Sequence, residues 1–110
     1  MTQMEESINH NKDIYVWSDK ITSVLKSVFR TQELNGYTYY LKDNGEMFCL
    51  LEYTSPLYGF ILEMSADEET AINNCGIDIG EYPLLDYDSP EEMLEYIMNN
   101  VNQGMEDRFE

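Results

Sequence analysis

Apolar positions along the chain change period three times. Ile21, Val24, Leu25, Val28 and Phe29 recur at the i, i+3, i+4, i+7, i+8 spacing of one helical stripe, with Lys20, Lys26 and Arg30 off it. That pattern predicts a helix over residues 18–32, with Ser18 as N-cap and Asp19 at the positive end of the dipole. Asn35-Gly36 is read as its stop.

The period then shortens to that of strands. Residues 37–42 are rich in Tyr and Thr, residues 47–54 follow, Ser55-Pro56 breaks the run, and residues 57–64 form a third strand candidate. Asp43-Asn44-Gly45 is a hairpin signal, because Asn-Gly tolerates the positive φ of a type I′ turn. With Asn44-Gly45 as a two-residue loop, Leu41 pairs with Phe48 and Tyr39 with Leu50. Tyr37, Tyr39, Leu41, Phe48 and Leu50 then share one face, and Tyr40, Met47, Cys49, Leu51 and Tyr53 the other. Both faces are apolar, so both call for cover, from helices on two sides or from a partner.

Helical signals return near the C-terminus. Ser65-Ala66-Asp67-Glu68 reads as a capping box opening a short helix that Asn74 or Gly76 closes. Residues 77–88 read as a loop, with at most a short strand over 77–79. Ser89, with Pro90 after it and Glu92 three residues on, opens a last helix. Met93, Leu94, Ile97, Met98 and Val101 form its apolar stripe, and Gly104 ends it. The expected fold is α+β: an N-terminal helix, a three-stranded antiparallel meander, a short helix and a C-terminal helix. A flexible segment over 1–13, one domain over 14–104 and an acidic tail over 105–110 complete the organisation.

Composition changes the picture mainly through charge. The 110 residues carry 22 acids against 6 bases, a formal −16. Phosphate binding needs Lys and Arg, so direct binding to nucleic acid or to an anionic membrane is excluded as the main role. There is no apolar run of membrane-spanning length and no basic-then-apolar leader pattern. Two cysteines are too few for a disulfide scaffold, and a cytoplasmic location is expected. Cys49 reads as buried and Cys75 as more exposed.

The charge is unevenly placed. Residues 1–62 hold eight acids and five bases; residues 63–110 hold fourteen acids and Arg108 alone. Asp67, Glu68 and Glu69 fall in the first turn of a helix; helix dipoles explain Asp67, Glu68, Glu91 and Glu92, but not Asp78, Glu81, Asp86, Asp88 and Glu95, nor the missing cations. Glu91 and Glu95 stand at i, i+4, where like charges cost about 0.2–0.5 kcal/mol. Carboxylates about 5–7 Å apart on helices and extended segments repeat at nearly the spacing of backbone phosphates. Tyr82, Tyr87 and Tyr96 interleave with these acids and suit contact with an Arg-rich surface.

No residue argues for catalysis. His10 is the single histidine, and two Cys with one His fall short of a structural zinc site. Asp86-Tyr87-Asp88-Ser89-Pro90 begins like a calcium loop and fails where Pro90 replaces an acid. No glycine pattern cradles phosphate, so no cofactor or metal is expected. The expectation is a non-enzymatic acidic inhibitor that mimics nucleic acid and blocks the basic cleft of a nucleic-acid-processing or RNA-guided defence enzyme, acting as a monomer or dimer. As a class, small acidic α+β proteins of this composition are typical of phage counter-defence, anti-CRISPR proteins among them. The alternatives are an immunity protein or antitoxin for a basic nuclease toxin, and an acidic secretion chaperone holding an effector on an apolar sheet.

Overall fold

The computed structural model describes residues 13–52 and 59–104. The expected N-terminal segment up to residue 12, the Ser55-Pro56 break with Tyr53, and the 105–110 tail lie outside the described residues.

The first helix, α1 (Ile14–Val28), starts four residues earlier than the apolar stripe implied. Asp13 is its N-cap, accepting from the Tyr15 and Val16 amides at 2.8 and 3.4 Å. Ser18 therefore lies inside the helix, buried, and donates to Glu52 at 2.9 Å. Phe29 is extended and ends the helix. The chain continues as a strand, β1 (Arg30–Leu34), where a last helical turn was expected.

Asn35-Gly36 is the reason. Both residues have positive φ, 55° and 84°, and together form the two-residue turn that pairs Leu34 with Tyr37 in β2 (Tyr37–Leu41). The dipeptide read as a helix stop is thus a type I′ hairpin. The second Asn-Gly does the opposite. The Gly45 amide donates to the Lys42 carbonyl and the Lys42 amide to the Glu46 carbonyl, at 3.1 and 2.8 Å. Gly45 has φ 93°, whereas Asn44 is not in the positive-φ region. This is a three-residue loop, a turn followed by a left-handed glycine, leading into β3 (Met47–Glu52). The register moves by one step: Tyr40 faces Phe48 and Leu41 faces Met47. Because side chains alternate with period two, Tyr39 and Leu41 join Met47, Cys49 and Leu51 on one face, while Tyr40 joins Phe48 and Leu50 on the other.

β4 (Phe60–Ser65) pairs with β3, and β5 (Ile77–Tyr82) pairs with β4. The expected three-stranded meander is corrected to a five-stranded antiparallel sheet in the order β1-β2-β3-β4-β5. The two added strands occupy segments assigned to the first helix and to the loop over 77–88. Within β5 the period is broken by a bulge opposite Leu62 and Glu63, which lets Ile77, Ile79 and Tyr82 all serve the same core.

Between β4 and β5 lies α2 (Glu68–Ile72), capped by Asp67, which accepts from the Thr70 amide and hydroxyl at 2.8 Å each. Ser65, the expected cap, ends β4 instead; its buried hydroxyl has no hydrogen-bond partner among the described residues. Asn74 closes the helix at φ 55°, with the Cys75 amide donating to Thr70 and the Asn74 amide to Ala71. After β5, a 3₁₀ turn (Leu84–Asp86) leads to α3 (Pro90–Gln103), which Ser89 caps through the Glu92 amide at 3.1 Å.

α1 and α3 cover one face of the sheet. Trp17, Ile21 and Leu25 of α1 and Met93, Ile97 and Val101 of α3 meet Tyr40, Phe48, Phe60, Leu62 and Met64. Burying each such side chain contributes about 1.5–3 kcal/mol. The other face carries a smaller cluster, Tyr39, Met47 and Cys49, closed by Ala71 of α2. Lys42 joins the sheet to the end of α3, pairing with Glu46 at 2.9 Å and donating to the Val101 carbonyl at 2.7 Å.

Candidate functional site: two acidic surfaces

The acidic positions divide between the two sides of the sheet. Asp67, Glu68 and Glu69 sit on α2, against the smaller core. Asp78 stands opposite Glu63, and Glu81 opposite Ile61, in register positions that share that side. Asp86 ends the 3₁₀ turn, Asp88 lies in the link that follows, and Glu91, Glu92 and Glu95 open α3, on the other side. β5 is the seam between the two groups. The acids of the C-terminal half therefore lie on two surfaces.

Several of these acids have local work. Asp67 caps α2, and its two bonds from Thr70 hold its carboxyl below the ordinary aspartate value. Glu68 accepts from Gln32 of β1. Glu92 reaches back to the Asp88 amide at 2.8 Å, so the second capping box closes one residue ahead of the cap. Asp86, Asp88, Glu91 and Glu95 are exposed and make no such bond among the described residues. The one ion pair among the described residues is Lys42–Glu46; none of the candidate acids is in it. From residue 63 to residue 104 the chain holds eleven acids and no Lys or Arg.

The tyrosines are graded by depth. Tyr82 is buried at 2% exposure, with its hydroxyl accepting from the Asn100 amide, so it is a core residue rather than a contact residue. Tyr87 packs between Tyr82 and Tyr96, with ring centroids at 6.4 and 5.4 Å. Burial, and then the neighbouring Asp86 charge, push the Tyr87 phenol upward. Tyr96 is half exposed, and Leu85, absent from the expected contact set, is exposed beside Asp86. The end of the molecule at 84–96 thus presents an aromatic step, Tyr87 to Tyr96, on a segment that also carries the exposed carboxylates of Asp86, Asp88, Glu91 and Glu95.

Glu63 lies outside the expected contact set. It lies half-buried in β4 between Cys49 and Asp78. Burial, and then the Asp78 charge, raise its carboxyl above the ordinary value. Burial also pushes the Cys49 thiol and the Tyr39 phenol up to about 12. Its signal in the sequence is a lone acid alternating inside Phe60-Ile61-Leu62-Glu63-Met64. Among the described residues no three His, Cys, Asp or Glu side chains are placed to hold a metal ion, and no helix is long and apolar enough to cross a membrane.

Compared with known proteins, the chain matches no family model, no curated protein and no solved structure.

Proposed function

We propose that this protein is an acidic inhibitor that binds a basic protein, with the 84–96 end as its contact surface and a nucleic-acid-binding cleft as its target. The observation that supports the reading is that the 84–96 segment carries the exposed carboxylates of Asp86, Asp88, Glu91 and Glu95, in no ion pair among the described residues, together with the packed rings of Tyr87 and Tyr96. Such a surface offers an Arg- or Lys-lined cleft a substitute for phosphates, with rings for cation–π contact. The acids of α2 face away from it and serve as a field that steers approach, over about 8 Å at physiological salt. We place this activity in the cytoplasm, where the basic enzymes of nucleic-acid processing and defence act.

The test is competition. Added to a panel of nucleases, polymerases and RNA-guided effectors, the protein should displace nucleic acid from at least one, less so as salt rises. The variant D86N/D88N/E91Q/E95Q should lose that displacement and keep its fold. Displacement by that variant at wild-type strength, or by none of the panel with wild type, would refute the proposal.

A further inference from the structure

The ladder between β2 and β3 stops early. Tyr40–Phe48 is its last pair, and Tyr39 with Cys49, then Thr38 with Leu50, follow in register without pairing. The two-residue turn fixes which way the backbone points. Leu34 and Tyr37 are a hydrogen-bonded pair, so Tyr37, Tyr39 and Leu41 turn their amides and carbonyls to β1, and Thr38 and Tyr40 turn theirs to β3. By the same alternation Phe48, Leu50 and Glu52 turn theirs toward β2. The Leu50 amide and the Thr38 carbonyl, which would bond in an unbroken ladder, belong to the unpaired interval.

That interval is a groove of about 580 Å³ under α1, lined by Thr22, Lys26, Tyr37, Thr38, Leu50 and Glu52. It is held apart by bonds rather than frayed. Asn35 Nδ2 donates to the Ala71 and Ile72 carbonyls at 3.3 and 2.8 Å, and Gln32 Nε2 donates to Glu68, so the β1–β2 hairpin tip leans on α2, away from α1. An open strand edge inside a sheet is a template for another backbone.

We propose that this gap seats an extended segment of a partner protein as an added strand, paired through its backbone with Leu50 and Thr38 and carrying basic side chains toward α1. Charge selects the basic segment. Among the described residues Glu52 lines the groove, the Tyr40 phenol on its wall is raised by burial and then by the Glu33 charge on the same side, and Lys26 is the one cation on the groove wall. The chain as a whole carries −16. The site goes beyond the function proposed above and shares no residue with the 84–96 end.

The experiment uses the ¹⁵N-labelled full chain and the peptide acetyl-Val-Lys-Val-Lys-Val-Lys-Val-amide. Its companions are the same peptide N-methylated at alternate residues, which keeps charge and side chains but loses one edge of backbone donors, and the Glu-for-Lys peptide. The Lys peptide should shift the Thr38 and Leu50 amides and slow their exchange about tenfold or more. The N-methylated and Glu peptides should bind about tenfold more weakly or worse. The D86N/D88N/E91Q/E95Q variant should bind the Lys peptide as wild type does, so this result stands or falls apart from the inhibitor reading. The variant N35G keeps the turn, frees the hairpin tip, and should weaken peptide binding while protecting the Leu50 amide in the free protein. Equal binding of the N-methylated peptide, shifts confined to the 84–96 end, Leu50 protected in the free wild-type chain, or N35G behaving as wild type would each overturn the proposal.

Discussion

Glu63 offers the sharpest check on the electrostatic account. It stands in β4 directly opposite Asp78 of β5, half-buried, with its carboxyl raised by burial and by that charge. Like charges directly opposite on a sheet cost about 0.2–1 kcal/mol. The sign follows from proton binding. A raised native value means the folded chain holds the Glu63 proton where the unfolded chain has released it, so stability falls as pH rises through the native value and is restored below the ordinary glutamate value. Glu63→Gln removes the penalty at neutral pH and changes nothing at acid pH, where both side chains are neutral. Expected at pH 7.5 is a gain of about 0.2–1 kcal/mol in urea unfolding, or about 1–8 °C in Tm for a domain of this size. Glu81→Gln is the control, because it relieves the same net charge at an exposed site opposite Ile61. The gain of E63Q over E81Q should shrink as the pH is lowered toward the ordinary glutamate range. E63Q no more stable than E81Q, or a gain independent of pH, would refute the reasoning.

Three further outcomes are expected. Gly59→Ala should abolish cooperative folding or cost more than about 3 kcal/mol, since Gly59 has φ 62° and an added Cβ would lie 1.9 Å from the Tyr82 carbonyl oxygen; circular-dichroism melts check this. Thiol titration of the native protein should modify Cys75, which is exposed, and leave Cys49 until denaturant is added; rapid reaction of two thiols would contradict the smaller core. Added salt should raise Tm, because screening weakens repulsion among charges that sum to −16, and a flat response would show that they are already compensated.

Legibility in the sequence followed the locality of each signal. α3 was readable because its cap, first-turn proline, stripe and closing glycine lie within one element. The two Asn-Gly pairs were not separable by inspection. Asn-Gly stops a helix, makes a type I′ turn or supplies one left-handed glycine, and the outcome depends on whether residues 30–34 find a strand partner. A helix stop at the first pair merges β1 with α1, and a two-residue loop at the second pair shifts the β2–β3 register by one residue. β5 was hidden by Gly80 and by a bulge that disrupts the two-residue period. The caps moved for a similar reason: Asp13 and Asp67 outcompeted Ser18 and Ser65, which the tertiary fold buries. The acidic excess was plain from counting, but its division across the sheet was not, because neighbours along the chain at 69 and 86 are separated by β5.

Among the described residues α2 is the sole helical cover over Tyr39, Met47 and Cys49, and it has five residues. A helix so short has no stability of its own; it persists through Asp67, Asn74 and its ties to Asn35 and Gln32. It is a latch with four fastenings. Loosening any of them lowers the cost of a local opening that leaves α1, α3 and the larger core intact and brings an apolar plate to the surface. Cys49 lies under that latch, so its rate of modification in native buffer clocks the opening directly. Aggregation of this acidic chain would begin from that plate, in a molecule still mostly folded.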